Sequence, residues 1–373
     1  HSSVTGKVTK IGRFPHPSGN MQYAIEIDRT GEDEWVELTD EKDFLSLSAD
    51  EMRERISEAG ICGMGGAGFP THVKLSPPPD KKIDTVIING VECEPYLTAD
   101  YRMMLERSED ILNGLKIFMK IVGAERGFIG IEANKPDAIS LFRELLRKEK
   151  NINVVGLQLK YPQGAEKQLI YACTRKKVPN RGGLPMDVGV VVQNVGTAIA
   201  SYEAVRYKKP LIERVITVTG RIVNKPKNLQ ARVGMLFNEL LDYCEGTNDE
   251  IAKIISGGPM MGFAISTLNT PMGKGSSGLI LFNMKEAKKR HEQTCIRCSS
   301  CVDVCPMNLM PSTIANAVKH EDWETARKAG VMDCIKCGCC AFVCPSHIKL
   351  IQWIDIGKNK ITEIDRKNKE KQS

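Results

Sequence analysis

Most of the 13 cysteines in this 373-residue chain lie in one short segment, between Cys295 and Cys344. The others are scattered along the chain: Cys62, Cys93, Cys173 and Cys244. A secreted protein held together by disulfides would spread its cysteines over the whole fold. Their concentration in one segment instead indicates thiolate ligands in a reducing compartment, around which that segment must fold.

Two runs of four cysteines share the spacing C-x2-C-x2-C-x3-C, and each run is followed by a proline. In two-cluster ferredoxins with this pattern, three thiolates of a run bind one [4Fe–4S] cluster and the fourth binds the other cluster. The ligands predicted for the first cluster are Cys295, Cys298, Cys301 and Cys344. Those predicted for the second are Cys334, Cys337, Cys340 and Cys305. Cys339 lies off the spacing and is predicted not to be a ligand.

A pair of zinc sites is the alternative for these cysteines. Zinc ribbons normally use two C-x2-C pairs per metal ion, and four cysteines per run with a closing proline fit that poorly. Residues 312–330, between the runs, have a helical pattern. This arrangement is closer to the helical two-cluster modules of respiratory enzymes than to a compact bacterial ferredoxin.

The length of the chain predicts two to four domains. It has 52 basic and 46 acidic side chains, spread along the sequence, which does not favour nucleic-acid binding. No apolar run approaches the ~18 residues needed to span a bilayer, and no signal-peptide pattern is present. Because the chain begins at His1, we expect a further segment upstream. The basic residues 357–373 are predicted to form a solvated, partly disordered tail.

The first residues predict a small β module, with strands at 4–11, 23–28 and 34–38 separated by turn residues. A helix follows, because Ser48 and Glu51 form a capping box ahead of an apolar face. We expect it to end at Gly60 and residues 213–283 to be β-rich, with one helix at 233–243.

Helix and strand patterns then alternate up to about residue 205. Strands are predicted at 85–88, 127–131 and 153–157, and helices at 100–121 and 137–148. Such alternation predicts a mostly parallel sheet with helices on its faces.

A glycine-rich loop runs from Gly60 to Thr71 and contains G-x-G-x-x-G. It follows a helix rather than a strand and ends in no G-K-[ST], so it matches neither the dinucleotide fingerprint nor a Walker A loop. Its bare backbone can nevertheless approach a phosphate or a flat ring, while an aromatic ring can stack and a lysine can bind phosphate. The candidate residues are Gly63, Gly65, Gly66, Gly68, Phe69 and Lys74. The alternative is an ordinary flexible loop.

Polar residues follow the predicted strand at 85–88. Ligands of open α/β sheets bind at the carboxyl ends of strands. Asn89 can therefore bind a polar ring edge or a ribityl hydroxyl, and Glu92 and Glu94 can accept from sugar hydroxyls or ring N–H groups. The alternative is a solvated turn.

Four segments together resemble the FMN- and NADH-binding subunit of respiratory complex I: residues 63–74, 89–95, 161–166 and 194–197. With a β-grasp segment and the two cysteine runs, the order of parts is similar to the C subunit of the Rnf family. Rnf complexes are membrane ferredoxin:NAD⁺ oxidoreductases that pump Na⁺ or H⁺. The resemblance covers nearly the whole chain, and residues 305–311 are especially close to it.

The resemblance implies a multidomain α/β protein with five parts in chain order. These are a truncated barrel-sandwich-like β module (1–42), a Rossmann-like α/β FMN- and NADH-binding domain (43–210), a β-grasp (SLBB-like) domain (211–285), an α-helical two-cluster ferredoxin domain (286–356) and the basic tail (357–373).

The resemblance also implies roles for individual residues. At the FMN it places Gly63, Gly65, Gly66, Gly68, Asn89, Glu92, Cys93, Glu166 and Asn194, with Glu94, Tyr161 and Gly164 in the same motifs. At the NAD(H) it places Phe69 and Lys74. The chain departs from the complex I pattern at Val91, Gln163 and Gly196.

The implied activity is electron transfer from [4Fe–4S] clusters through FMN to NAD⁺. NAD⁺ accepts two electrons as a hydride and a cluster supplies one at a time, so a flavin is needed between them. NAD(H) is then a substrate, no protein general base is required, and ferredoxin is an indirect partner. The resemblance places the chain at the cytoplasmic face of the membrane, held by other subunits of the complex.

Three other functions remain open from the sequence. One is a flavin and iron–sulfur cobalamin reductase of propanediol utilisation, which has a similar layout. Another is a non-catalytic electron-relay subunit whose flavin site has decayed. The last is a β-grasp protein that binds a small molecule at residues 213–283.

Overall fold

The computed structural model of the chain describes residues 1–180, 182–288 and 290–371. The strands are β1 (Gly6–Pro15), β2 (Met21–Arg29), β3 (Thr85–Gly90), β4 (Arg126–Glu132), β5 (Ile152–Leu157), β6 (Val190–Asn194), β7 (Glu213–Thr219), β8 (Lys227–Arg232), β9 (Lys253–Ser256), β10 (Phe263–Ile265) and β11 (Gly278–Phe282). The helices are α1 (Ala49–Glu58), α2 (Thr71–Lys74), α3 (Ala99–Glu106), α4 (Ser108–Val122), α5 (Pro136–Leu145), α6 (Glu166–Thr174), α7 (Val195–Tyr207), α8 (Phe237–Asp242), α9 (Ser300–Asp303), α10 (Pro311–Lys319), α11 (Trp323–Lys328), α12 (Cys339–Phe342) and α13 (Leu350–Glu370). Short 3-10 helices lie at Phe44–Ser46, Pro185–Val188 and Val331–Asp333.

The chain divides into two compact units. The first contains residues 1–178 and 185–287, and the second contains 179–184 and 288–373. The division of the first unit into three domains, and the domain boundaries themselves, stay predictions. Among the helices of the described residues, none combines the length and the apolar character needed to cross a membrane.

The N-terminal module is a two-stranded antiparallel hairpin of β1 and β2. The strand predicted at 34–38 is wrong, because these residues form no regular element in the described structure. The backbone just beyond them is bound elsewhere. Thr39 N–H donates to the Tyr207 carbonyl and Glu41 N–H donates to the Arg206 carbonyl, both in the last turn of α7. The sequence pattern at 34–38 suits a strand, but a strand also needs a neighbouring strand to pair with, and these residues have none in the described structure.

The helix predicted from the capping box is confirmed as α1. Ser48 Oγ accepts from Glu51 N–H at 3.2 Å, and the Glu51 carboxylate accepts from Ser48 N–H at 2.8 Å. Met52 and Ile56 are fully buried on its inner face. Beyond the helix, Gly60 has φ +64°, a left-handed conformation that suits glycine.

The predicted parallel sheet is confirmed, with strand order β5-β4-β3-β6 and every neighbouring pair parallel. The chain runs outward from β3 through β4 to β5, then returns to the other side of β3 as β6. The strand order therefore reverses between β3 and β6. Asn89 and Asn194 are partners in this register, at the carboxyl ends of the two strands.

The single helix predicted over 100–121 is wrong in one respect, because it is broken at Arg107 into α3 and α4. Arg107 has φ −130°, which is not helical. Its guanidinium binds Asp110 and also Glu203 of α7, the latter at 2.9 Å. A tertiary contact therefore interrupts a sequence that has helical periodicity throughout. The helix predicted at 137–148 is confirmed as α5, with Pro136 at its first position.

A second sheet has the strand order β10-β9-β11-β7-β8, in which β11 and β7 are parallel and the other pairs antiparallel. Phe237, Leu240 and Leu241 of α8 pack against it. The helix predicted at 233–243 is shorter than expected, because Val233 N–H donates to the Ile212 carbonyl instead of entering a helix.

The second unit is helical, as predicted, and the pattern at 312–330 forms two helices, α10 and α11. The prediction of a partly disordered tail from 357 is wrong over the described residues, since α13 continues to Glu370. Ile354, Gly357 and Ile361 recur at helical spacing and are buried in α13. The last two residues of the predicted tail lie outside the described residues.

Candidate functional site

The glycine loop lies against the point where the order of the parallel sheet reverses. Met64 N–H donates to Thr197 Oγ1 in the first turn of α7 at 3.0 Å. A Cβ added to Gly65 would lie 3.0 Å from the Asn194 side chain. At Gly66 and Gly68 an added Cβ would meet nothing within 4 Å. The loop is therefore packed on one side and offers bare backbone on the other.

Two predicted asparagines fix the chain at the same place. Asn194 caps α7, since its Oδ1 accepts from Gly196 N–H at 2.8 Å. The Asn89 amide donates to the Gly164 carbonyl at 2.9 Å, and its Oδ1 accepts from Val91 N–H at 3.2 Å. Both side chains hold neighbouring loops in position around the carboxyl ends of β3 and β6.

Two predicted carboxylates are bound by backbone N–H groups. Glu92 accepts from Asp100 N–H at 2.7 Å and Tyr101 N–H at 3.0 Å, at the start of α3. Burial, with the charge of Asp100 next in importance, raises the pKa of Glu92 to about 8. Glu94 accepts from the N–H groups of Met260 at 3.1 Å and Met261 at 2.8 Å. Each carboxylate is thus fixed in direction by two donors.

Other predicted residues pair with each other. Lys74 Nζ donates to Glu166 Oε1 at 2.7 Å, which joins the end of α2, just after the glycine loop, to the start of α6. Cys93 Sγ lies 3.2 Å from the position of a Cβ on Gly164. Burial raises the pKa of Cys93 to about 11, so this thiol is protonated at neutral pH. Tyr161 lies half-buried in the turn before α6.

Phe69 is 54% exposed and free to stack on a ligand ring. Its carbonyl accepts from Gly63 N–H at 2.9 Å, which closes the glycine loop on itself. The loop therefore presents an aromatic ring beside open backbone.

A cavity of about 350 Å³ opens beside this cluster, at the carboxyl ends of β3 and β4. Among its lining residues are the predicted Glu92, Cys93 and Glu94. It is also lined by Glu132, Asn134 and Lys135, which sequence reasoning missed. Lys135 precedes the proline that starts α5, so its sequence context indicated a helix start and not a site.

Lys135 is buried, and its Nζ donates to the Val91 carbonyl at 2.9 Å. Glu132, only 2% exposed, lies 3.4 Å from the same Nζ. Burial raises the pKa of Glu132, and the nearby Lys135 charge opposes this. The pair places one amine and one carboxyl group in the cavity wall.

Two more charged residues, the half-buried Asp100 and the buried Arg214, were missed because their partners are remote in sequence. Asp100 Oδ2 accepts from the Asn194 amide at 2.7 Å, and burial raises the pKa of Asp100. Arg214, on β7, donates to the Lys274 carbonyl at 2.6 Å. Burial lowers the pKa of Arg214 to about 10, and the charge of Asp100 opposes this effect.

These residues fit a flavin nucleotide. An anion is favoured at the N-terminus of a helix as long as α7, where unpaired backbone N–H groups point outward. The open backbone at Gly66 and Gly68 lets a ring or phosphate approach more closely than side chains would allow. The donors and acceptors around the cavity suit hydroxyl groups.

The structure brings the second set of predicted cluster ligands together. One cavity in the second unit is lined by cysteines of both runs: Cys305, Cys334, Cys337 and Cys340, with Cys339. Of the first set, Cys301 and Cys344 pack beside one small apolar group, while Cys295 and Cys298 are exposed. The second set therefore shares one enclosed space, and the first set is only partly enclosed.

The environment of these sulfurs suits iron–sulfur ligation. Leu309 N–H donates to Cys305 Sγ and Lys336 N–H donates to Cys334 Sγ, both at 3.4 Å. Such hydrogen bonds to sulfur tune cluster potentials. Burial raises the pKa of Cys337 and of Cys340 to about 12, so a bound metal would be needed to deprotonate them.

The thiols do not converge on one point. In the parts of the chain that the structure describes, no group of three or more His, Cys, Asp or Glu side chains is arranged to hold a single metal ion. Four thiols that line one cavity are the ligand type and number that a [4Fe–4S] cluster requires.

Three family models match the chain. The Nuo51 FMN-binding domain matches residues 56–203, the SLBB domain matches 215–264 and the 4Fe-4S dicluster domain matches 287–346. Together with the glycine loop and the cysteine-lined cavity, these matches define a multidomain α/β flavin and iron–sulfur protein. The FMN and the two [4Fe–4S] clusters predicted from the sequence are confirmed as its cofactors.

Curated relatives specify the family. The chain is 50% identical over 329 residues to the C subunit of the proton-translocating ferredoxin:NAD(+) oxidoreductase complex of Clostridium ljungdahlii, covering 88% of this chain and 72% of the relative. It is 44% identical over 325 residues to the Na(+)-translocating counterpart of Acetobacterium woodii, covering 87% and 73%. It is 42% identical over 372 residues to the C subunit of the ion-translocating oxidoreductase complex of Haemophilus influenzae, covering 99% and 57%. The chain belongs to the family of C subunits of ion-translocating ferredoxin:NAD(+) oxidoreductase complexes, as predicted.

Solved structures share the fold. An NAD⁺-reducing [NiFe]-hydrogenase in the air-oxidised state matches with a TM-score of 0.57 and 17% identity, over 77% of this chain and 56% of that one. The H₂-reduced state of such a hydrogenase matches with a TM-score of 0.59 and 15% identity, over 86% and 65%.

Proposed function

We propose that this chain is the NAD(H)-binding subunit of a membrane ferredoxin:NAD⁺ oxidoreductase. Single electrons pass from its two [4Fe–4S] clusters through FMN to NAD⁺, and the complex couples this transfer to movement of Na⁺ or H⁺. Bound FMN supplies the exchange between one-electron and two-electron transfer. The observation that carries this proposal is the contact of the glycine loop with Asn194 and Thr197, where the order of the parallel sheet reverses.

We assign the residues around that point to the cofactor. The FMN site consists of Gly63, Gly65, Gly66, Gly68, Asn89, Glu92, Cys93, Glu94, Tyr161, Gly164, Glu166 and Asn194. Phe69 and Lys74 meet NAD(H). Several of these act through other parts of the chain: Asn89 holds Gly164, and Asn194 caps α7. Their role is to bind, to orient and to keep water out, with no proton transfer assigned to them.

We assign the cluster ligands across the two cysteine runs. Cys305 joins the second run at one cluster, which the shared cavity supports. Cys344 joins Cys295, Cys298 and Cys301 at the other. This exchange ties both runs into one folding unit.

The proposal extends to placement and domain folds. The subunit lies at the cytoplasmic face of the membrane through its partner subunits, and ferredoxin reaches it indirectly. The finer folds proposed are a barrel-sandwich remnant at 1–42, a β-grasp domain at 211–285 and a helical two-cluster ferredoxin domain from 286. The parallel contact of β11 with β7 in a mixed sheet supports the β-grasp assignment.

Anaerobic purification with counts of iron, sulfide and flavin per chain tests the proposal. We expect about eight irons and one FMN. Zinc in place of iron would remove both clusters from the scheme. The order of electron transfer is tested on the same sample after its flavin has been stripped. If clusters remain intact and NAD⁺ is still reduced without flavin, FMN is not the link.

A further inference from the structure

One wall of the 350 Å³ cavity is the segment from Glu92 to Thr98, and its backbone is strained. Glu92 has φ +49° and Tyr96 has φ +71°, in the left-handed region that non-glycine residues rarely adopt. Such conformations persist only where the surroundings fix them, and they cluster at ligand-binding sites. Something outside the segment must therefore hold it.

The turn between β9 and β10 holds Glu94. The Glu94 carboxylate accepts from both Met260 N–H and Met261 N–H. The fit is close, since a Cβ on Gly258 would lie 2.2 Å from Glu94 Oε2. Gly258 does not have positive φ, so its φ does not exclude alanine, and the three atoms nearest to an added Cβ all belong to Glu94.

The same five-stranded sheet contacts the next residues of the wall. The Tyr96 ring packs edge-on against Phe282 of β11 with centroids 5.7 Å apart. Thr98 N–H donates to Thr217 Oγ1 of β7 at 3.2 Å. Residues 94–98 are thus held in place by contacts with the β9–β10 turn, with β7 and with β11.

We propose that the five-stranded sheet positions this wall for nucleotide binding, with Gly258 and Phe282 as positioning residues. The inference rests on the proposed function, because it takes the cavity as part of the FMN and NAD(H) site. In this proposal the five-stranded sheet affects nucleotide affinity without contacting the nucleotide. It does so by fixing the positions of Glu94 and Tyr96 in the cavity wall.

Two variants test this in the full chain, and a third is the control. Gly258→Ala forces Glu94 off its two donors. Phe282→Leu removes the contact with Tyr96 and adds no atoms to the site. Gly275→Ala is the matched control in the same sheet domain, since its added Cβ would meet nothing within 4 Å.

Affinity is measured for the two nucleotides separately. FMN is titrated into flavin-free protein and followed by its fluorescence, and KM and kcat for NADH are measured with an artificial acceptor. We expect Gly258→Ala to raise the FMN Kd or the NADH KM about tenfold, as for the loss of a charged hydrogen bond. Phe282→Leu should raise it about threefold, as for the loss of an aromatic pair. The unfolding midpoint, iron content and kcat should match Gly275→Ala.

The outcomes separate clearly. A rise confined to the FMN Kd or to the NADH KM identifies the nucleotide that contacts the wall, and either supports the proposal. If both variants fold and bind as the control does, the sheet does not position the wall. If Gly258→Ala fails to fold, Phe282→Leu decides in the same way. If the wild-type chain binds neither nucleotide, the proposed function fails and the inference is overturned with it.

Discussion

The Asn194 side-chain amide donates to Asp100 Oδ2 at 2.7 Å, across 94 residues of sequence. The same asparagine caps α7 through Gly196 N–H and touches the glycine loop at Gly65. One side chain therefore joins β6, α3, α7 and the loop. Asp100 is half-buried, and its carboxyl group interacts with this donor and with more distant positive charges.

Replacing Asn194 with alanine should destabilise the first unit. The change removes a helix cap, which costs about 1 kcal/mol. It also leaves the half-buried Asp100 carboxyl group without its donor, for a further ~1–3 kcal/mol. We expect the free energy of unfolding, measured by denaturant and circular dichroism, to fall by about 2–4 kcal/mol. Asn194→Ser keeps the helix cap and should lose only the stabilisation from the hydrogen bond to Asp100. Equal stability of Asn194→Ala and the wild type would contradict this account.

The sequence predicted those features that rest on short-range patterns. The α1 capping box and the apolar runs of β3, β4 and β5 are local, so they could be identified without knowing the fold. The roles of Asp100 and Arg214 could not be predicted, because a charged residue enclosed by the fold cannot be recognised in the sequence until its distant partner is known. The break at Arg107 has the same cause, since Glu203 lies 96 residues away.

The C-terminal residues 357–373 were predicted to be partly disordered, although those that the structure describes are largely helical. The high charge of residues 357–373 predicted disorder. The spacing of Ile354 and Ile361 places both on one face of α13, which buries them beside α10. For the second set of predicted cluster ligands, by contrast, the cysteine spacing identified thiols that line one cavity, because that spacing is set by the ligand and not by the fold.

Stability of the first unit should depend on pH through Glu92. Its pKa is about 8 in the folded protein against 4.5 for the free side chain. Between these values the unfolded chain loses the proton first, so the folded state binds more protons and stability falls as pH rises. Glu92→Gln cannot ionise, so it should lack this contribution to the pH dependence. We expect the unfolding free energy of the wild type to fall relative to that of Glu92→Gln as the pH rises from 5 to 8. A wild type that gains stability relative to Glu92→Gln over this range would rule out a raised pKa.

Cross-ligation predicts which cluster each cysteine variant damages. Cys344→Ser should first lose the cluster of Cys295, Cys298 and Cys301, and Cys305→Ser should lose the other one. Iron per chain should fall from about eight to about four in each case. Electron paramagnetic resonance of the reduced protein then shows which signal remains. Cys339→Ser is the control and should keep both clusters. Loss of the same signal in both ligand variants would refute the exchange.

Lys358 should raise the reduction potential of the second cluster. Its Nζ donates to the Cys334 carbonyl at 2.6 Å and to the Met332 carbonyl at 3.2 Å. A fixed cation beside a cluster stabilises the electron that reduction adds. Lys358→Met should therefore lower this potential by tens of millivolts, measured by redox titration. Lys360→Met, on the exposed side of α13, should leave it unchanged. An equal shift in both variants would point to a general charge effect.

The C-terminal helix should be needed to retain the clusters. Ile361 is fully buried among α10 and α11 residues, and Arg327 of α11 binds Asp365 through both carboxylate oxygens at 3.0 and 2.7 Å. Ile361→Ala leaves a cavity that costs about 2–4 kcal/mol. We expect faster loss of iron on mild denaturation, followed by the decay of cluster absorbance. Thr362→Ala, at the next and exposed position, changes the same helix without opening the core and should lose iron at the wild-type rate. If Ile361→Ala also retains iron at that rate, α13 does not support the cluster-binding core, and the tail acts as the disordered segment that its charge suggested.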